Sequence, residues 1–183
     1  LKSFAQRNIS IPSYEKVYEY KDKKLDVIVG IRTAPFNMTH GERTGACMRA
    51  YGIADNLFEF TATDVNGFHI TFIDPKTNEY ISRISGFRNG DTIFLNQLRF
   101  SLNDRKYSNN DLYEILKLVG KDLIELTKND KLPIANVVAD KSYALKDKAC
   151  FTISPTNDIG REVYDGYHDV SNHAVVLAST ANN

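Results

Sequence analysis

Asn89-Gly90 lies between two runs rich in β-branched and aromatic residues, and it constrains the fold more than any other feature of the chain. Both positions of such a two-residue turn need positive φ, so this pair is the strongest short-range hairpin signal. Glu79–Phe87 ahead of it and Thr92–Phe100 behind it therefore read as paired antiparallel strands. A further strand, Phe68–Ile73, alternates in the same way and leads into Asp74-Pro75-Lys76-Thr77-Asn78. There proline presets φ, and Asp and Asn bond to the local backbone. The three strands form a meander, and the first half of 92–100, apolar on both faces, places that strand centrally in its sheet.

Ser108-Asn109-Asn110-Asp111 then supplies N-cap side chains for a long helix predicted over 111–128. Leu112, Ile115, Leu116, Val119, Leu123 and Leu126 recur at helical spacing and define its buried stripe. Further strands are predicted at 25–31, 134–139, 150–153 and 174–178, and two short helices around 46–51 and 53–58. The segments 1–24, with the charged run Lys21-Asp22-Lys23-Lys24 as a solvated turn, and 179–183 are expected at the periphery, the latter frayed. The whole reads as one α/β (α+β) domain: a mixed, mainly antiparallel central sheet with flanking helices.

Composition narrows the function classes. Lys+Arg and Asp+Glu number 23 each, which argues against a nucleic-acid backbone as the main partner, since non-specific phosphate binding needs surplus positive charge. Two isolated cysteines, Cys47 and Cys150, form neither a disulfide framework nor a CxxC metal clip, and point to a reducing, cytoplasmic setting. His40, Cys47, Cys150, His168 and His173 match no recognised zinc spacing, so no metal is expected. No apolar run approaches a membrane span.

From Phe68 to Ala139 the order meander, long helix, strand resembles the core of the GNAT-type N-acyltransferase fold, in which the strand after the helix splays away from the third meander strand. The flanking predicted elements fit the same order. The resemblance implies transfer of an acyl group from acetyl-CoA or another acyl-CoA to a small-molecule or protein amine. It also implies a pyrophosphate site between the third meander strand and the helix N-terminus, where backbone N–H groups and the helix dipole favour anions. The family's loop there is Gln/Arg-x-x-Gly-x-Gly/Ala, whereas Ser101–Asn109 contains no glycine. The positions left to bind the cofactor are Arg99, Ser101, Asn103, Arg105, Lys106, Ser108 and Asn109, with Asp104 opposing them. Tyr143, just past the last strand of the resemblance, would be the general acid to the departing thiolate.

Three alternatives arise from other residues. Cys47 follows His40-Gly41-Glu42-Arg43-Thr44-Gly45 and could be a thiolate nucleophile, with His40 or His69 as base. A degenerate domain could keep the fold without the reaction, or a non-catalytic module could bind a protein partner through the 154–173 loop. Arg83, Phe87, Arg88, Asn96, Gln97 and Arg99 interrupt strands that should be core, which suggests a ligand cleft beside the splayed strand.

Overall fold

The computed structural model describes residues 11–31, 67–100, 106–140, 153–155 and 173–182. Among these, eight strands form one sheet in the order β1-β2-β3-β4-β5-β6-β8-β7. They are β1 (Tyr14–Tyr20), β2 (Lys23–Ile31), β3 (Gly67–Ile73), β4 (Tyr80–Asn89), β5 (Thr92–Phe100), β6 (Asn136–Asp140), β7 (Ile153–Pro155) and β8 (His173–Ser179). Every neighbouring pair is antiparallel except β5 with β6. That parallel pair is joined by α1 (Asn109–Thr127), the crossover that parallel strands require.

Alternation sorts the side chains onto two faces. On the helix face, Val27 pairs with Phe72, Val29 with Ile70, Ile70 with Ile84, Phe68 with Gly86, and Gly86 with Leu95. The row continues through Ile93 to Val137 and Leu95 to Ala139. Leu112, Ile115, Leu116, Val119 and Leu123 of α1 join these residues in one core. Gly120 lets the helix approach closely: a Cβ there would lie 2.9 Å from the Ala178 Cβ and 3.3 Å from that of Val137.

Several boundaries move from their expected places. The sheet begins at Tyr14, where no strand is predicted, and Lys23 and Lys24 lie inside β2, leaving Lys21-Asp22 as the turn. The β1 edge is fixed to the helix by Tyr18, whose hydroxyl donates to Asp122 Oδ2 at 2.5 Å beside Lys16 Nζ at 2.6 Å. Tyr14, 3.0 Å from the Tyr18 hydroxyl, has its phenol pushed up to about 12, chiefly by burial. The buried stripe of α1 runs from Leu123 to Thr127, and Leu126 is 55% exposed. A step of four keeps the stripe facing the sheet at the last turn, where a step of three drifts to solvent. Thr127, fully buried, donates to the Leu123 carbonyl and accepts from the Ile134 N–H, tying the helix end to the entry of β6. The C-terminal segment is held rather than frayed through residue 182, with Thr180 N–H on the Ala135 carbonyl. The predicted helices at 46–58 lie outside the described residues. None of the described helices is long and apolar enough to cross a membrane.

Candidate functional site

The parallel ladder between β5 and β6 covers only Thr92–Leu95 against Asn136–Ala139. Beyond it β5 continues to Phe100 on its β4 side, while Asp140 of β6 still pairs with Ala174 of β8. The two strands thus part company after Leu95 and Ala139, each following its other neighbour. The cause lies in β5: its register with β4 passes from Gly86↔Leu95 to Ile84↔Leu98, so β5 carries one extra residue at Asn96-Gln97. A bulge bends its strand, sharpens the local twist and leaves main-chain polar groups out of the ladder. Asn96 and Gln97 are the residues at this bulge.

The same end of β5 leads to the N-terminus of α1. Ser108 caps it with a capping box: its Oγ accepts from Asp111 N–H at 3.1 Å, and the Asp111 carboxylate accepts from Ser108 N–H at 3.0 Å. Lys23 Nζ lies 2.5 Å from that carboxylate, and Lys106 Nζ lies 2.5 Å from Asp74 Oδ2 in the β3–β4 turn. Both ammonium groups sit over the Tyr107 ring, at 5.7 and 5.8 Å from its centroid. Asp74 is 2% exposed while its partner Lys106 is 60% exposed, so the lysine is the accessible member.

These two carboxylates carry a pH prediction. The Lys106 ammonium first, then the Lys76 N–H, holds the Asp74 carboxyl below its ordinary value against burial. For Asp111 burial acts upward but is outweighed by Lys23 and the Ser108 bonds. A carboxyl whose folded value is depressed contributes stability above its unfolded value, about 3.9, and loses it as pH falls through the folded one. Melts taken from pH 6 to 2.5 should show stability falling below about pH 4. Asp74→Asn should flatten that fall.

Of the residues anticipated from sequence, Lys106, Ser108 and Asn109 meet at this helix end. Arg99 is placed by its backbone, opposite Arg83. Ser101, Asn103, Arg105, Tyr143, Cys47, His40 and most of the 154–173 loop lie outside the described residues. Among the described residues no group of three or more His, Cys, Asp or Glu could hold a metal ion.

A second polar group sits on the sheet face opposite α1. Arg83, 5% exposed, donates through Nη1 to Ser85 Oγ, which is 3.1 Å from His69 Nδ1. Arg83 was visible in the sequence as a polar interruption of its strand, and His69 only as a candidate base. Ser85, which links them, was not, because serine is unremarkable in a strand until its cross-strand partner is known.

No family model matches this sequence, and none of the curated proteins does. A solved structure does. A GCN5-related N-acetyltransferase from Brucella melitensis is similar over 92% of this chain and 81% of its own, with a TM-score of 0.41 and 8% identity. The GNAT-like reading of the fold rests on the order of the described strands, the one parallel pair among them and the crossover helix.

Proposed function

We propose that this chain binds an acyl-CoA and transfers its acyl group to an amine. The observation that carries the reading is the parting of β5 from β6 at the β5 bulge, next to the capped N-terminus of α1. Such a parting lets a narrow thioester arm enter between two strands. A bulge leaves main-chain groups out of the ladder, and an N–H there would stabilise charge developing on the acyl carbonyl.

The donors at the helix end suit the anionic part of such a cofactor in kind. Lys106 is exposed, Lys23 neutralises Asp111, and the capping box engages the N–H groups of Ser108 and Asp111. The N–H groups of Asn109 and Asn110 at the start of α1 would face an arriving phosphate. Lys106, with Arg99, Ser101, Asn103 and Arg105, would supply side-chain donors where a glycine-rich loop would offer backbone. Bound there, the cofactor would supply an activated thioester. As the amine displaced the thiolate from the carbonyl carbon, Tyr143 would give the thiolate its proton, and the proton lost by the amine would restore the Tyr143 hydroxyl.

A thermal melt with millimolar acetyl-CoA tests this. Ligand at 100 times its dissociation constant stabilises by about 2.7 kcal/mol, a rise of roughly 5–10 °C in a chain this size. The rise should disappear in an Arg105→Ala, Lys106→Ala variant. No rise in the parent chain would sink the reading.

A further inference from the structure

β1 is an outer strand of the sheet, and among the described strands it pairs with β2 alone. A two-residue turn makes the residues that flank it, here Tyr20 and Lys23, a hydrogen-bonded pair. Such pairs alternate along antiparallel strands, so Tyr14, Lys16, Tyr18 and Tyr20 direct their main-chain groups to β2. Glu15, Val17 and Glu19 direct theirs outward, along the edge. All three side chains are exposed, Val17 to 51%.

An edge of this kind is a template for another strand, and the charges along it select which. A second copy of β1 would run antiparallel to the first across a two-fold axis, with its own outward residues as partners. The registers then differ only in where the axis passes. Through Val17 it sets Glu15 against Glu19; through Lys16 or Glu19 it sets that residue against its own copy. Like charges directly opposite are destabilising. Through Tyr18 no like charges meet. Glu15 then lies opposite Lys21, Lys16 opposite Tyr20 and Val17 opposite Glu19, with Val17 of the second copy as a diagonal neighbour of Val17.

Glu15 has the most to gain from this register. Its carboxyl is hydrogen-bonded to the Asp26 side chain on β2, and that neighbour holds it above its ordinary value. Glu19, by contrast, already has Lys24 at 3.4 Å. A cation brought to Glu15 from outside would relieve the acidic pair, and the exposed Lys21 is the one that the Tyr18 register brings.

We infer that β1 pairs with β1 of a second copy of this chain, in the register centred on Tyr18, joining the two sheets across a two-fold axis. Dimer formation is independent of acyl transfer.

Sedimentation velocity of the full chain over a wide concentration range tests this. Monomer should pass to dimer as concentration rises, and added salt should move the passage to higher concentration. Glu15→Lys and Lys21→Glu should each weaken the dimer on the order of tenfold, since two symmetry-related ion pairs become repulsions. The double variant, which exchanges the two charges, should recover the parent's affinity. Melts in dilute solution, where the chain is monomeric, separate these effects from a folding defect: both single variants should melt close to the parent there. A parent that stays monomeric throughout, a dimer indifferent to the single variants, or a double variant no tighter than the singles would each overturn the inference.

Discussion

Gly86→Val should destabilise the chain by about 3 kcal/mol, at the upper end of what an overpacked core costs. The position sits in the middle of β4 on the helix face, with Phe68 and Leu95 as cross-strand partners on either side. A Cβ there would lie 2.6 Å from Phe68 Cζ, 2.9 Å from Phe68 Cε1 and 2.9 Å from Leu95 Cδ2. Neither neighbour can give way cheaply, since Phe68 is 0% and Leu95 1% exposed. The β-propensity gained by valine, within about 1 kcal/mol, offsets only part of this. Urea denaturation would measure it directly as a lower midpoint with the slope unchanged. A midpoint equal to that of the parent would mean that the two side chains do not close over Gly86 in solution. Gly30→Val makes an internal contrast: the same substitution two strands away should be neutral or stabilising, because a Cβ there would meet no atom within 4 Å.

The two glycines show how far the sequence can be read and where it stops. Gly86 and Gly30 both interrupt strand runs, and nothing in their neighbours along the chain says which one is crowded and which open. That information resides in the register. Strands whose turns carry recognised chemistry were legible: the Asn89-Gly90 signal located the β4–β5 hairpin, but one residue early, since Asn89 pairs with Thr92 and the turn is Gly90-Asp91, with only Gly90 at positive φ (+61). The β1–β2 hairpin was missed because its two-residue turn is Lys21-Asp22, in which Lys21 takes φ 56 without glycine or asparagine to announce it. Tyr14, Tyr18 and Tyr20 did carry the period of two, hidden by the charged residues between them. The helix was legible from its cap and stripe, except that Leu126 was counted in place of Thr127. A polar residue held by three backbone partners is invisible to a hydrophobic count.

The candidate site followed the same pattern. The order of elements pointed to a cleft after the third meander strand, and the parting of β5 and β6 lies there. What the sequence did not offer was the reason. In the sequence Asn96 and Gln97 stand only as polar interruptions of a strand. Their place in a bulge depends on a shift of one residue against β4, which no local pattern encodes. Asp74 likewise read as turn chemistry alone; that it holds Lys106 follows only from the fold bringing residues 32 apart into contact.

Arg88→Ala is expected to cost about 3 kcal/mol, and its consequence should be felt along the β5–β6 ladder. Arg88 lies on the helix face at the end of β4, 3% exposed, opposite Ile93. Its Nε donates to the Gly90 carbonyl at 2.9 Å and its Nη2 to the Leu132 carbonyl. It therefore ties the β4–β5 turn to the segment that leads from α1 into β6. The Asp91 carbonyl reinforces the junction by accepting from the N–H groups of Ala135 and Asn136, at 2.7 and 3.2 Å. Burial draws the guanidinium below its ordinary value, against the opposing pull of Asp130 and Asp91, and it stays charged. Each hydrogen bond from a charged donor is worth about 1.5–3 kcal/mol, and part of the sum is returned when a buried charge is no longer desolvated. The balance is a loss of roughly 3 kcal/mol, or about 6–12 °C in melting temperature. A merely local defect would leave the rest of the sheet as protected as before. The junction predicts otherwise: amide hydrogen exchange should speed up at Asn136, Val137, Val138 and Ala139, the whole length of the parallel ladder, while Ile70 and Phe72 in β3 stay slow. Uniform acceleration across the sheet would make Arg88 a general core residue and not the fastener of the β5–β6 pair. Methionine at position 88 would separate packing from hydrogen bonding, since it restores the volume but neither bond.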